Sequence, residues 1–387
     1  MAIMSVRKRE WKTKKGGEKR EGWSCDYRDQ NGNRVVKLFS TKKEAVAYHA
    51  KVTNEVNEGI HTAPSRSIAV KQAAADWIRF VEGEGRERST VVSYQQHIDQ
   101  HIAPRIGALK LGHLTTPRVN KFRDDLLADG MSRPMAKKVL GSLKSLLRDA
   151  KRRGNVAQNV ASDVSITLDK RHKRKLEVGV DIPTREEIRA IVAALEGRWR
   201  PLILTAIFTG LRASELRGLR WQDIDFRKAE LKVRQRADRW CEIGRPKSHF
   251  GEREVPVPPF VLNTLREWKL QCGDKELVFP NGKGNVEDLA NIVQRGLMPV
   301  QLKAGVVKKK GKAKYTGMHA LRHFYASWCI NRREDGGLEL PLKTVQARLG
   351  HASIQMTADT YGHLFPRGDD GKELAKAERE LLGLRVT

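Results

Sequence analysis

The amino-acid sequence predicts a multidomain protein with a small β+α N-terminal module, an all-α domain, and a mainly α domain that contains a small antiparallel β-sheet. Three observations support this fold class. The length of 387 residues corresponds to two or three domains at roughly 150 residues each. The apolar pattern changes from strand-like segments to helical stripes and then to a mixture of both. Linker-like and basic stretches separate these three regions.

The N-terminal module is predicted to span residues 1–60. Two strand-like stretches, 23–28 and 34–39, flank the tetrapeptide Gln30-Asn31-Gly32-Asn33. Asn-Gly between such stretches is a strong hairpin signal, because both residues accept the backbone conformations of a tight turn. A helix is expected to follow from Thr41, since Glu44 stands three residues later as in a capping box.

Residues 61–66 are a predicted linker, and residues 67–165 are predicted to be all-helical. Apolar side chains recur there at helical spacing, in stripes that include Trp77 and Tyr94. Thr116-Pro117 is typical of a helix start, because proline fits the first helical turn. We interpret the stripes as core, since apolar rows at 3.6-residue spacing usually face an interior.

The third domain is predicted over residues 180–387, after a basic linker at 166–179. It opens with a second capping box at Thr184, and the apolar stretch 202–208 predicts a buried helix. Two strands and five further helices complete the prediction, with strands over 231–236 and 254–257 and helices over 261–270, 288–297, 318–331, 342–349 and 354–361. The stretch 372–384 has an amphipathic pattern.

The formal net charge of +28 is spread along the chain, with +6 in residues 1–60, +11 in 61–179 and +11 in 180–387. A generally adhesive, ribosome-like protein would account for this charge. A multidomain protein whose cations displace counterions from nucleic-acid phosphates accounts for it better, because every patterned segment is basic. Eleven residues are candidate DNA contacts: Lys12, Lys14, Lys15, Arg34, Lys121, Arg123, Lys137, Lys138, Lys144, Lys173 and Arg174.

Several protein classes are disfavoured by the sequence. No apolar stretch approaches the roughly 18 residues of a membrane helix, and the N-terminus lacks the apolar centre of a secretory signal. The four cysteines lie far apart without a C-x-x-C pair, which argues against a disulfide framework or a zinc module. We therefore expect a reducing, cytoplasmic setting and no membrane partner.

Candidate catalytic residues cluster between positions 209 and 363. A glycine precedes Arg212 in Thr209-Gly210-Leu211-Arg212-Ala213-Ser214-Glu215-Leu216, and a lysine, Lys247, precedes the second predicted strand. His319 and Arg322 share one helical face. His351 follows the helix-ending pair Leu349-Gly350, and Tyr361 follows ten residues later.

Each of these elements has an ordinary structural explanation when taken alone. A single histidine is more often a structural residue than a catalytic one, and an arginine at a helix start often pairs with an acid such as Glu215. His319 and His323 are four residues apart, but Ala320 stands where the H-E-x-x-H zinc motif has its glutamate. We therefore expect no metal site.

Taken together, the motifs resemble the tyrosine recombinases of the phage-integrase type. The order Arg212, Lys247, His319-x-x-Arg322, Leu349-Gly350-His351, Tyr361 is similar to the catalytic set of that family. The resemblance covers most of the chain. It implies an arm-type DNA-binding module at 1–60, a SAM-like helical core-binding domain at 67–165, and a tyrosine recombinase catalytic domain with a C-terminal tail at 180–387.

The resemblance implies a site-specific DNA recombinase that integrates or excises a phage or mobile element through a covalent 3′-phosphotyrosine. Tyr361 would be the nucleophile, and Arg212 and Arg322 would hold the non-bridging phosphate oxygens, joined by His351. Lys247 would protonate the 5′ leaving oxygen, and His319 would assist Tyr361 as proton acceptor. Glu215 would orient Arg212. No metal or other cofactor is expected.

The implied partner is double-stranded DNA carrying attachment sites, bound by a homotetramer in a bacterial host. A host DNA-bending protein and a directionality factor remain open as further partners. The amphipathic tail would dock on a neighbouring protomer, with its own domain as the alternative. Two other functions are considered, a type IB topoisomerase and a non-catalytic DNA-binding regulator. The complete catalytic set argues against the regulator.

Overall fold

The computed structural model describes residues 5–12, 19–28, 32–57, 67–168, 174–246, 249–365 and 370–383. The chain divides into two compact units, Met1–His172 and Lys173–Thr387. In the described ranges, no helix combines the length and the apolar character needed to cross a bilayer. The mainly helical structure with small antiparallel sheets confirms the predicted fold class.

The first unit begins with a three-stranded antiparallel sheet in the order β1-β2-β3. Its elements are β1 (Ser5–Lys12), β2 (Lys19–Arg28), β3 (Arg34–Phe39) and the helix α1 (Lys42–Asn57). Cys25 and Tyr27 alternate on β2 and pack with Val52 of α1. The predicted hairpin and the capping box at Thr41 are both confirmed. The strand β1 was not predicted, because its charged sequence has no clear apolar alternation.

The rest of the first unit is a helical bundle with its own apolar core, as the periodicity predicts. Its helices are α2 (Val70–Gly83), α3 (Arg88–His97), α4 (Ala103–Ile106), α5 (Thr116–Ala128) and α6 (Arg133–Arg152). A π-helical turn, Ile98–Ile102, joins α3 to α4. Phe122 and Leu143 are among the fully buried side chains, so the faces that carry the predicted cations point away from this core.

The second unit packs helices around the buried helix α8 and a three-stranded antiparallel sheet in the order β4-β5-β8. Its first elements are α7 (Arg185–Ala194), α8 (Trp199–Thr209), α9 (Ala213–Arg217), β4 (Ile224–Asp225), β5 (Glu230–Val233), β6 (Arg236–Ala237), β7 (Ile243–Gly244) and β8 (Arg253–Pro256). The later ones are α10 (Pro259–Cys272), α11 (Leu289–Asn291), α12 (Met298–Lys303), α13 (His319–Ile330), α14 (Leu342–Leu349), α15 (Ile354–Tyr361) and α16 (Asp370–Leu382). Leu231 of β5 lies opposite Val255 of β8, and both are fully buried.

Two helices of this unit end in left-handed glycines, and a predicted site residue follows each glycine within two positions. Gly210 ends α8 with a φ of 61° and Gly350 ends α14 with a φ of 63°. Glycine reaches this backbone region without the steric cost that a Cβ imposes. A Cβ on Gly210 would overlap the ring of Tyr325. The close approach of α8 to α13 therefore requires glycine on two grounds.

We expect Gly210→Ala to lower the free energy of unfolding by about 2–4 kcal/mol, because left-handed strain and overlap with a buried ring add together. Gly197→Ala is the matched control, since Gly197 has a φ of 57° and nothing within 4 Å of its would-be Cβ. Chemical denaturation of both variants separates the two effects. Equal losses in the two variants would show that contact with Tyr325 contributes nothing.

Candidate active site

Arg212 lies at the start of α9 and is held by Glu215 in a reciprocal arrangement. Its backbone N–H donates to Oε2 of Glu215 at 2.8 Å, and its Nη1 donates to Oε1 at 2.7 Å. Its Nη2 donates to the carbonyl of Gly350 at 3.0 Å. The side chain stays 34% exposed, so the guanidinium is positioned yet still accessible to an anion.

Glu215 is a buried carboxylate shared between two arginines. Arg253, which is itself buried on β8, donates from Nη2 to Oε2 at 2.9 Å and from Nη1 to Oε1 at 3.1 Å. Burial alone would raise the pKa of Glu215. The hydrogen bonds and charges of Arg253 and Arg212 outweigh burial and lower this pKa to about 2. Glu215 is therefore ionised at neutral pH.

Arg253 also fixes the segment that carries His351, because its Nε donates to the carbonyl of Arg348 at 2.7 Å. One side chain thus connects β8, the start of α9 and the end of α14.

Arg322 on α13 is buried, and its charge is met by backbone carbonyls. Nη1 donates to the carbonyl of Gly210 at 2.6 Å, and Nη2 donates to the carbonyl of Leu349 at 2.6 Å. Both carbonyls lie at helix C-termini, where the helix dipole is negative. Burial, with the nearby charge of Arg212, lowers the pKa of Arg322 to about 9, so it remains a cation at pH 7. Such a site favours the entry of an anion.

Tyr361 is the last residue of α15 and is only 1% exposed. Its hydroxyl lies 2.8 Å from Nδ1 of His323. Its ring is parallel to that of His351 within 2°, with centroids 6.2 Å apart. Burial raises the pKa of Tyr361 to about 12, although Arg322 and Arg212 oppose this shift. A phenol in this setting needs a proton acceptor before it can act as a nucleophile.

His351 follows Gly350 and is anchored through its Nδ1, which lies 2.9 Å from Oγ1 of Thr357. Burial and the charges of Arg322 and Arg212 lower its pKa to about 4. The imidazole is therefore neutral at pH 7.

The structure brings Arg212, Glu215, Arg322, His351 and Tyr361 together. His319 stands one helical turn before His323, at the exposed start of α13. The residue is exposed, but partial desolvation of its ring within the site, together with the charges of Arg322 and Arg212, lowers the pKa of His319. Lys247 lies outside the described residues, so its placement stays a prediction.

The predicted DNA contacts fall into three groups: residues outside the described ranges, residues already bonded within the protein, and two exposed lysines. Lys14, Lys15, Lys173 and the side chain of Lys12 lie outside the described part of the chain. Five of the others already have partners: Arg34 pairs with Asp26, Lys121 with Asp125, Arg123 with Asp124 and Arg174 with Asp181, and Lys144 donates to the carbonyl of Ser162. Lys137 and Lys138 are exposed on α6. Within the described part of the chain, these two lysines have no acidic partner to leave before they reach a phosphate.

Two residues of the site were missed from the sequence, Arg253 and His323. An inward-facing arginine on a short strand forms no sequence motif of its own. Arg253 could be recognised only from its contact with the buried Glu215, which the sequence does not show. His323 was considered only as a metal ligand with His319. Its position directly after Arg322, which the resemblance already places in the site, was the available signal.

Comparisons with known proteins found a matching family model and similar sequences. Residues 183–367 match the model of the phage integrase family. A protein from Caldanaerobacter subterraneus subsp. tengcongensis described as "Tyrosine recombinase XerC-like" is 30% identical over 370 residues, which are 88% of this chain and 91% of that protein.

Two solved structures are similar in fold. The Tn1549 transposon integrase in complex with a circular intermediate DNA has a TM-score of 0.61 at 19% identity and covers 81% of this chain and 99% of its own. The lambda integrase tetramer bound to a Holliday junction has a TM-score of 0.55 at 17% identity, covering 89% and 96%.

We predict that Glu215 makes stability depend on pH in the acid range. Its pKa is depressed from 4.5 to about 2, so its contribution is complete above pH 4.5 and disappears as the pH falls towards 2. The linkage is on the order of 3 kcal/mol. Denaturation at pH 6, 4 and 3 should show a steeper loss for the unchanged protein than for Glu215→Gln. Glu196→Gln, at an exposed ion pair, is the control and should follow the unchanged protein. A similar pH slope in Glu215→Gln would contradict the prediction.

Proposed function

This chain belongs to the phage integrase family, the tyrosine recombinases, and is a site-specific DNA recombinase, and from that premise we propose which of its residues carry out the reaction. The proposal rests chiefly on one observation. The buried hydroxyl of Tyr361 lies within electrostatic reach of Arg322 and Arg212. Arg322 is held by two backbone carbonyls at helix ends, and Arg212 is held by one such carbonyl and by Glu215. Cations held in this way are suited to a phosphodiester, whose charge grows in the transition state.

In the proposed cleavage step, Oη of Tyr361 attacks the scissile phosphorus. The Oη–P bond forms as the P–O5′ bond breaks, which leaves a 3′-phosphotyrosine and a free 5′-hydroxyl. Arg212 and Arg322 bind the non-bridging oxygens, and His351 donates a further hydrogen bond. Lys247 supplies the proton to the 5′ oxygen. A 5′-hydroxyl from the partner strand then reverses the sequence and rejoins the DNA without an external energy source.

The phenolic proton needs an acceptor, and two imidazoles are candidates. The family resemblance assigns this role to His319. His323 is the imidazole that contacts the hydroxyl. Both histidines have lowered pKa values through burial and neighbouring charge, so both are neutral and able to accept at pH 7.

We propose double-stranded DNA as the partner, with the three predicted domains at 1–60, 67–165 and 180–387 engaging arm and core sites. The structural relatives named above were solved with DNA, one of them as a tetramer. The helix α16 fits assembly as a homotetramer, because its apolar side chains are exposed, Leu381 by 86%. We infer that it docks on a neighbouring protomer, and that the reaction takes place on DNA in the bacterial cytoplasm.

The substrate is proposed to be the attachment sites of a phage or other mobile element. The similarity to a transposon integrase supports this choice. The topoisomerase and non-catalytic alternatives are not favoured, since the similar proteins are recombinases and integrases.

We predict that Tyr361→Phe abolishes covalent capture of a nicked suicide DNA while DNA binding persists, because only the nucleophilic oxygen is removed. Denaturing gels detect the protein–DNA adduct, and gel shift measures binding. Thr360→Ser, at the half-buried neighbour whose hydroxyl donates to the carbonyl of Met356, is the matched control and should form adduct normally. An adduct that persists in Tyr361→Phe would rule out Tyr361 as nucleophile.

Lys247→Ala should slow cleavage of ordinary DNA by at least about 100-fold, as expected for loss of a general acid. A 5′-bridging phosphorothiolate should restore the rate, because a thiolate leaves without protonation. Single-turnover adduct formation on the two substrates measures this. A variant that is equally slow on both would remove Lys247 from the general-acid role.

A further inference from the structure

We propose that His323 is a catalytic residue of the recombination reaction, orienting Tyr361 and accepting its hydroxyl proton during attack. This inference rests on the proposed nucleophilic role of Tyr361. It assigns to His323 the proton transfer that the family resemblance gives to His319.

The contact between His323 and Tyr361 is direct and well defined. Nδ1 lies 2.8 Å from Oη, within hydrogen-bond distance, and the two rings meet edge to face with centroids 5.7 Å apart. In neutral imidazole one ring nitrogen is an acceptor, so with the proton on Nε2 the hydroxyl donates and Nδ1 accepts. This is the arrangement that a general base requires.

The position of His323 is fixed by the same helix that holds Arg322. Arg322 is anchored by carbonyls at the ends of α8 and α14, and His323 follows it in α13. The distance from proton acceptor to phosphate-binding group is therefore determined by two adjacent positions of a packed helix. Such rigidity suits proton transfer, which depends steeply on geometry.

The rings of Tyr361, His323 and His319 lie in sequence, and His319 is the one farthest from the nucleophile. Its ring meets that of His323 edge to face with centroids 5.6 Å apart, and His319 is the more exposed of the two histidines. The order from interior to solvent is Tyr361, His323, His319. His319 is therefore placed to exchange protons between His323 and water, and His323 is placed to receive the proton from the nucleophile.

The charges that face His323 come from several elements. On α13 these are His319 and Arg322, and both disfavour its protonation, whereas Asp181, before α7, favours it. Tyr361 and His351 approach from α15 and the end of α14. Burial, then His319 and Arg322, lowers the pKa of His323 to about 4. The negative charge of an incoming phosphate acts in the opposite direction and strengthens the base when DNA is bound.

The proton balance closes in both directions. During cleavage, the proton of Tyr361 moves to Nδ1 as Oη bonds to phosphorus, and Lys247 protonates the departing 5′ oxygen. During rejoining, the 5′-hydroxyl gives its proton to the neutral amine of Lys247 as O5′ bonds to phosphorus. The imidazolium returns its proton to Oη as the Oη–P bond breaks. The nearby Arg322 makes this imidazolium short-lived, so the tyrosine is regenerated readily.

The test is the pH dependence of single-turnover cleavage on a nicked suicide DNA, with DNA binding measured in parallel. His323→Ala should slow cleavage about 100-fold or more. His323→Asn keeps a polar group near the Nδ1 position but cannot take a proton, so hydroxide must do so. Its rate should rise about tenfold per pH unit between pH 7 and 9, where the unchanged protein is nearly level. His319→Ala should lose less than tenfold and keep the level profile.

Three outcomes would overturn the proposal. One is a His323→Asn profile as level as that of the unchanged protein. Another is cleavage by His323→Ala at or above the rate of the unchanged protein. The hydrogen bond between His323 and Tyr361 would then only hold the tyrosine in place before DNA binds. The third is the rising profile in His319→Ala, which would return the proton transfer to His319. Tyr361→Phe separates this inference from the proposed function, because an adduct in that variant refutes the nucleophile itself. If His323→Ala does not fold, His323→Asn, which keeps a polar group near the Nδ1 position, still decides the question.

Discussion

The site depends on the buried carboxylate of Glu215. Its two oxygens receive hydrogen bonds from the side chains of Arg212 and Arg253 and from the backbone of Arg212. Removing a buried charge from water is costly unless it is fully paired, and here the pairing joins α9 to β8. Because Arg253 also reaches the end of α14, one acid determines the relative positions of three chain segments. The accessible cation of the site, Arg212, is placed as a result.

Around Glu215, the site holds some titratable groups in their charged form and others in their neutral form. The acid is kept charged, the histidines are kept neutral, and the phenol is kept protonated. Burial would by itself neutralise all of them, so Glu215 stays charged only because two guanidiniums face it. A phosphodiester brings negative charge into a place where cations outnumber acids. The same excess of positive charge therefore favours both the binding of the phosphodiester and the activation of the nucleophile.

Much of this arrangement could be predicted from the sequence, because glycine-arginine and glycine-histidine pairs at helix ends are local signals. Arg212 and His351 were found in that way. Arg322 was found from its three-residue spacing after His319, and Tyr361 from its ten-residue spacing after His351, within the family resemblance. The structure brings these four residues together. The hairpin around Asn31-Gly32 and the two capping boxes depend on near neighbours and were also recovered.

Features that depend on distant partners were not predicted. β1 is recognisable only through its pairing with β2, since its own sequence is mostly charged. Arg253 lies 38 residues from Glu215, and His323 lies 38 residues from Tyr361. Neither pair has a spacing rule that could indicate contact. In both cases packing of the second unit, rather than local propensity, creates the chemistry.

The partners of Arg322 have a consequence for how this site tolerates change. Both are main-chain carbonyls, of Gly210 and Leu349. A side-chain replacement elsewhere cannot delete a carbonyl, so point substitutions have few ways to remove the hydrogen bonds that hold Arg322. Insertions or deletions at the two helix ends would do so, as would a residue that cannot adopt the left-handed turn. The position of Arg322 therefore depends more on loop length and backbone conformation than on the identity of the surrounding side chains.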